Sequence, residues 1–464
     1  MQRRKYFYIA VFTFLCALLP GCGGSKNGNS LSGNPGIKDT LNIGTMYSPT
    51  SYFIYKGEEM GYEYEMISKI LADNGKAYNI KVGRSIDSLI SMLDSGTIDI
   101  IACEIPITYE YNNRVLHCGE EDITRQVLVQ PKSSKDKIKD VTQLVGKTVY
   151  VEANSKYEYR LKNLNNEIGG GIIIKAVPQD SLVAEDLIEL VSDGKIPLTV
   201  VDSDIARLNR TYHRNLDISL EVSFPQRSSW AVQKDAAELA DSINSWVSTS
   251  NIKATAKWLL KRYFEIGKGS PERVRKGKLL NAARGIISPF DAIFKKYAKE
   301  VNFDWRLLAA QGYSESRFDS TATSWAGAKG IMQLMPNTAR SLGVPQSKLA
   351  DSEYSVMAAV KLMHKLDRKL ERYVGNPAER RKFVLAAYNA GLGHVIDAIN
   401  LAKKYGKNPA VWNDNVEIAI QMKIKPEYYN DEVCKFGYFK GKQTVAYVEE
   451  VGQIYDYYRQ NVKE

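Results

Sequence analysis

The chain has 464 residues, of which 44% are hydrophobic and 25% charged, and a formal net charge of +10. That length and balance suit two or three globular domains with full cores and exclude a disordered or fibrous chain. The basic excess suits an anionic partner such as a phospholipid surface, a cell-wall polymer or nucleic acid, or else an ordinary solvated surface with no particular partner.

Met1-Gln-Arg-Arg-Lys5 carries three positive charges, Phe7 to Leu19 is apolar, and Leu19-Pro-Gly-Cys22 follows. This is the plan of a secretory signal, and the apolar run is too short to span a bilayer comfortably. Cys22 directly after Gly21 resembles the lipobox of bacterial lipoproteins, which implies cleavage before Cys22 and its acylation; a retained N-terminal anchor is the alternative. Gly23, rather than Asp, resembles lipoproteins sent to the outer membrane, on its periplasmic face. Removing residues 1–21 takes away three basic and no acidic residues and leaves +7. Export makes nucleic acid an improbable partner, and no aromatic-basic RNA motif or zinc spacing points to one. Of the cysteines beyond the signal, Cys103, Cys118 and Cys434, two could pair, Cys103 with Cys118 being nearest in sequence, but three are too few for a disulfide scaffold. Four histidines scattered singly suggest no metal site, and no cofactor is expected.

Residues 22–38 are Gly, Ser and Asn with almost no apolar residue, the composition of a flexible linker. From Thr40 strands and helices alternate. Strands are expected at 41–46, 80–82 and 98–102, with helices at 64–74 and 86–94; a second unit has strands at 148–151, 172–175 and 198–201 and a helix at 182–192. This pace predicts open α/β sheets with parallel strands. The stretch 39–266 resembles the two-lobed extracellular solute-binding proteins of the amino-acid type. The words that carry the likeness are Leu93-Asp-Ser-Gly-Thr-Ile-Asp-Ile100, Pro106-Ile-Thr108 with Arg114 after it, Leu144-Val-Gly-Lys-Thr-Val149, and Leu190 to Asp202. The resemblance implies a small ligand, an amino acid or wall peptide, with Arg114 gripping its carboxylate and Asp202 its ammonium. Plain salt bridges are the alternative for both residues.

Residues 267–285 are basic, Gly-containing and poor in large apolar residues, and read as a connection. Ser288-Pro289 then predicts a helix start, and Phe290, Ile293, Phe294, Tyr297, Ala298 and Val301 recur at three and four along one buried face. Asp304 is expected to cap the next helix, on which Leu308, Gly312 and Glu315 fall on one side. A carboxylate that continues an apolar stripe loses solvation, which raises its pKa and equips it to donate a proton to a glycosidic oxygen. A solvated helix end or a salt-bridge partner is the plainer reading of the same pattern.

Three words follow in order: Tyr313-Ser-Glu-Ser-Arg-Phe318, Ser324-Trp-Ala-Gly-Ala-Lys-Gly-Ile-Met-Gln-Leu-Met-Pro336 and Ala387-Tyr-Asn-Ala-Gly391. Alone each is a turn or cap signal; together they resemble the lytic transglycosylase domain of the soluble, goose-lysozyme-like type, over about 286–464. The pairing of such a domain with a solute-binding domain and a lipoprotein signal resembles the membrane-bound members of that group. The expected architecture is therefore multidomain: an α/β two-lobed periplasmic-binding-protein-like domain followed by an all-α lysozyme-like domain. The resemblance implies Glu315 as the single catalytic acid and base, with Ser324, Gln333, Met335, Tyr388, Asn389 and Tyr447 in the saccharide groove, peptidoglycan strands as substrate and 1,6-anhydromuramoyl ends as product, without metal. Two alternatives stay open: a water-consuming muramidase that would use Asp319 as its second carboxylate, and a receptor whose helical domain only binds wall polymer.

Overall fold

The computed structural model describes residues 37–134, 136–178, 184–266, 285–301 and 303–463; the signal segment 1–21, Cys22 and most of the linkers expected at 22–38 and 267–285 lie outside them. The first domain is built on two sheets. Its strands are β1 (Thr40–Met46), β2 (Phe53–Tyr55), β3 (Glu58–Met60), β4 (Ala77–Gly83), β5 (Ile100–Pro106), β6 (Val115–Thr124), β7 (Gln126–Pro131), β8 (Thr148–Glu152), β9 (Ile173–Val177), β10 (Thr199–Asp202), β11 (Leu216–Glu221) and β12 (Gln226–Gln233). One lobe has the order β4-β1-β5-β12-β6 and the other β11-β7-β10-β8-β9. Leu41, Ile43, Ile98, Ile100 and Ile101 are buried in the first lobe, and Val127 to Val129, Val149, Val151, Val200 and Val201 in the second. These continuous apolar runs are what strands covered on both faces require.

The sheets are mixed rather than purely parallel. β1 runs parallel to β4 and β5, but β12 is antiparallel to both β5 and β6, and β7 is antiparallel to β10. The physical reason is connectivity. The chain leaves the first lobe from β6 into β7 and returns from β11 into β12, so each crossing strand enters its new sheet from the opposite end. The same order answers the cysteine question. Cys103 on β5 and Cys118 on β6 are separated by β12, which puts their strands about 10 Å apart, beyond disulfide reach. Both thiols are free and buried, and burial pushes the Cys118 thiol up to about 12.

In the second domain the helix Asp291–Val301 begins three residues after Ser288, whose hydroxyl accepts from Phe290 N at 3.1 Å in the preceding turn. Asp304 caps Trp305–Ser316 as expected, accepting from Arg306 N at 2.9 Å. Helices Ser352–Leu370, Pro377–Ala390, Leu392–Lys404 and Lys442–Asn461 complete a core around Phe294, Leu308, Phe383, Trp412, Val451 and Tyr458. The span 413–441 contains the short helices Glu417–Met422 and Pro426–Tyr429.

Asp304 serves three partners at once: the cap, the Arg306 guanidinium and the Tyr455 hydroxyl at 2.9 Å. Asp304→Ala should cost about 2 kcal/mol or more, since losing a cap alone costs about 1 kcal/mol and Arg306 is left nearly buried without its counter-ion. A lower thermal unfolding midpoint for the helical domain is the expected reading.

Candidate active site and the hairpin that fills it

Glu315 stands in the last turn of the helix Trp305–Ser316, and its side chain is only 6% exposed. Its two oxygens have different partners. The Tyr447 hydroxyl donates to Oε1 at 2.8 Å, and the Lys56 ammonium donates to Oε2 at 3.2 Å. Tyr447 comes from the last helix, Lys442–Asn461; burial, and then the negative charge of Glu315, hold its hydroxyl well above the ordinary tyrosine range. It is therefore a donor at any physiological pH.

The other expected residues surround this pair. Tyr388 donates its hydroxyl to Met332 O at 2.7 Å, and its ring lies 5.8 Å from the Lys56 ammonium. Gln333 sits at φ 47° with its amide donating to Ala322 O and Gly330 O, which locks the loop and turns its own carbonyl toward Lys56 at 3.4 Å. Gly330 permits that loop, because a Cβ there would lie 2.0 Å from Leu349 O. Asn389 accepts from the Thr444 hydroxyl at 2.7 Å, tying the Ala-Tyr-Asn-Ala-Gly segment to the Tyr447 helix. Ser324 closes a local turn, accepting from Ala328 N, and Met335 is buried as the residue before the helix Pro336–Ser341. Asp319, the second carboxylate a muramidase would need, is turned away: it accepts from Thr321 N and the Thr321 hydroxyl, which hold it below the usual carboxylate range.

Lys56 was not anticipated by the sequence reading, nor was the hairpin that carries it. β2 and β3 pair directly and are joined by Lys56 and Gly57, both with positive φ, the tight turn whose twist matches two flanking strands. The short runs Phe53-Ile-Tyr55 and Glu58-Glu-Met60 on either side of Lys-Gly were the available signal. The hairpin belongs to the first domain and lies in the groove of the second. Its root is held by His394 against Ile54 O at 2.8 Å, and Tyr55 packs on Trp325 with ring centroids 5.5 Å apart. Beyond the turn, Glu58 accepts from Asn337 N and Thr338 N. His394 is in turn backed by Lys423, itself fully buried and paired with Asp397. Burial, and then the Lys423 charge, hold His394 far below its usual pKa, so a neutral ring accepts from Lys423 on Nδ1 and donates to the hairpin from Nε2.

The two residues expected to hold a small ligand are not brought together. Arg114 is on the surface, paired with Asp87 at 2.7 Å, whereas Asp202 is buried, with Tyr157 donating to it at 3.1 Å and Lys156 paired with it. Arg114 follows the short helix Tyr109–Asn112 and is paired with Asp87 of the helix Ile86–Asp94.

Comparison with known proteins follows the same division. The family described as Bacterial extracellular solute-binding proteins, family 3, matches residues 41–266, and the Transglycosylase SLT domain matches residues 292–411. A protein of Desulfosudis oleivorans named Membrane-bound lytic murein transglycosylase F is 32% identical over 416 residues, covering 90% of this chain and 89% of its own. The chain belongs to the membrane-bound lytic murein transglycosylase F family. Its Pseudomonas fluorescens (strain Pf0-1) relative of the same name is 29% identical and covers 98% of this chain and 91% of its own. Among solved structures, an ancestral cationic amino acid solute-binding protein is 22% identical, covering 49% of this chain and 96% of that one with a TM-score of 0.43. The L-cystine solute receptor of Neisseria gonorrhoeae is 19% identical, covering 49% and 93%, with a TM-score of 0.42. Membership makes the chain a lytic transglycosylase, an enzyme with an α/β two-lobed domain ahead of a helical SLT domain. Among the described residues no helix is long and apolar enough to cross a membrane.

Gly391 offers a way to dislodge the hairpin without touching a charged group. A Cβ at this position would lie 2.7 Å from Gly57 N, and its φ is +95°. Gly391→Val should therefore lift residues 53–60 from the groove, and hydrogen exchange of their amides should quicken while that of the Trp305–Ser316 helix stays slow.

Proposed function

We propose that the protein cuts the β-1,4 bond between N-acetylmuramic acid and N-acetylglucosamine in peptidoglycan without water, leaving 1,6-anhydromuramoyl ends for cell-wall turnover and remodelling. The observation that carries this reading is a buried carboxylate, Glu315, with Tyr447 on one oxygen, while Glu450 on the Tyr447 helix is tied to Ser314 and Arg317. Hydrolysis by the common two-carboxylate scheme needs a partner acid, and Asp319 is engaged with Thr321 instead. With one acid, Glu315 protonates the bridge oxygen while the substrate's acetamido group stabilises C1. Glu315 then takes the proton from the C6 hydroxyl, whose oxygen attacks C1. Tyr447 orients the carboxyl group; Gln333, Tyr388 and Asn389 shape the groove, with Ser324 and Met335 at its edge.

The first domain, taken as 39–266, acts in this proposal as a ligand sensor for the catalytic domain, taken as 286–464. Its hairpin fills the groove, so both Glu315 oxygens are engaged and a glycan strand has no place. The catalytic domain also holds the second lobe, through Tyr438 to Glu185, Lys440 to Asn209 and Lys442 to Glu189. A cavity of about 60 Å³ separates these contacts from the hairpin, lined by Tyr55, Glu185, Asn389 and Lys440 among others. A change in the angle between lobes therefore pulls on the hairpin from one side and the 435–441 loop from the other. Lipidation at Cys22 would anchor the protein at the outer membrane, within reach of the wall.

Digestion of purified peptidoglycan by the chain from residue 22, with muropeptides weighed by mass spectrometry, tests the chemistry. Products lighter by one water than hydrolytic muropeptides are expected, and Glu315→Gln should lower their rate by roughly 10²–10⁴-fold, the span of general acid catalysis. Ordinary reducing ends would overturn the transglycosylase step. Lys56→Ala, which removes the ammonium from the groove, should raise the basal rate roughly 5- to 150-fold, the range of a typical coupling free energy. An unchanged rate for Lys56→Ala would remove the regulatory reading.

A further inference from the structure

We propose that the cleft between the lobes of the first domain takes an organic cation, a primary amine held by Glu63, Glu104, Asp202 and Asp204, rather than an amino acid gripped by its carboxylate. This deepens the sensor reading above and rests on it for its consequence, though not for its chemistry.

The acids come from both lobes. Glu63 opens the helix Tyr62–Asp73 and Glu104 lies on β5, both in the first lobe; Asp202 ends β10 and Asp204 begins the helix Ser203–Arg210, both in the second. Asp122, near the end of β6 where the chain crosses, faces the same group. Glu63 is 6% and Asp202 7% exposed. Glu63 is hydrogen-bonded by Ser51 and Trp230, yet its Oε2 has no partner among the described residues, and neither has Asp202 Oδ1 or Asp204 Oδ1. Buried acceptors without donors are costly, and three from two lobes facing one another define a place where donors and positive charge are wanted. An ammonium supplies three donors and the charge.

The cations already there do not meet that demand. Lys156 pairs with Asp202 and acts on Asp204, and Arg207 acts on neighbouring Tyr62, against the five acids named. The guanidinium that would have clamped a carboxylate, Arg114, is spent on Asp87 at the surface. Among the described residues no three acidic, histidine or cysteine side chains converge as ligands for a metal ion. Burial first, and then the acids' mutual repulsion, push Glu63 up to about 8, Glu104 to about 10 and Asp204 to about 6. At pH 7 Asp204 is thus mainly ionised, whereas Glu63 and Glu104 are held mainly as neutral acids. An arriving ammonium favours their ionised forms, so binding expels protons and tightens as pH rises.

Isothermal calorimetry on the chain from residue 22 tests this with cadaverine, L-lysine, L-alanine and L-glutamate, in two buffers of different ionisation heat. Cadaverine and L-lysine should both bind, with proton release, and L-alanine and L-glutamate at least about tenfold more weakly, the scale of one lost charge contact. Glu104→Gln and Glu63→Gln, checked for folding by circular dichroism, should each weaken cadaverine about tenfold or more. Binding of L-lysine without cadaverine would show that a carboxylate is required and would overturn the proposal. So would equal binding of L-alanine or L-glutamate, no binding of any cation, or variants that leave affinity unchanged. Murein digestion in parallel separates the two readings: cadaverine that binds without altering digestion leaves the cation site standing and removes the sensor role.

Discussion

The ion pair between Lys56 and Glu315 is the contact on which the arrangement of this molecule turns. It joins a hairpin of one domain to the acid of the other, and both side chains are less than one-tenth exposed. A buried pair gains Coulomb energy in a medium of low dielectric but loses two hydration shells, so its net contribution is small even though breaking one partner is costly. A contact of that kind suits exchange. It holds while the hairpin is seated, and groups that offer Glu315 other donors can replace it without a large net penalty. In this structure the groove holds the hairpin.

What keeps the hairpin seated is a second buried charge system. Asp397 receives Lys423, Lys435 N and Phe436 N, while Lys423 donates to His394, whose other nitrogen donates to Ile54 O. Every member is satisfied, which is the condition under which a buried polar network stiffens rather than weakens a core. Burial, and then the Lys423 charge, hold the His394 pKa well below its usual value, so the ring itself takes up no proton near neutral pH. The same network positions the 435–441 loop, whose Tyr438 and Lys440 reach the second lobe. Hairpin and loop are therefore two ends of one rigid brace, with the lobes of the first domain on either side.

The two sets of buried acids in the molecule show how surroundings decide the role of one functional group. Glu315 is buried with a donor on each oxygen, so its charge is matched in the seated state. Glu63 has one buried oxygen without a partner among the described residues, and burial drives both it and Glu104 toward the neutral form. The first arrangement supplies the positive charge that its carboxylate needs; the second lacks the positive charge that would let it ionise.

The sequence by itself determined the elements whose signals are local. The alternation of apolar runs placed β1, β8 and β10 within a residue and the start of β5 within two, the Asp304 cap and the stripe through Leu308 placed Glu315 at the end of its helix, and the order of the three motif words pointed to the family. Tyr447, 132 residues from Glu315, was reached only through the resemblance, and it meets the carboxylate as that likeness implied. What only the tertiary structure decided was anything that depends on which distant segments meet. The antiparallel entry of β12 follows from the chain crossing between lobes, and the separation of Cys103 from Cys118 follows from β12. Arg114 carried the chemistry to grip a carboxylate, but the structure pairs it with Asp87, a partner no local pattern announces. Lys56 carried the signal of a tight turn but none of its partner: one lysine in that turn meets Glu315 only when segments 259 residues apart along the chain come together. Local pattern is written in neighbouring residues, whereas burial and charge pairing are properties of surfaces the chain brings together after it has folded.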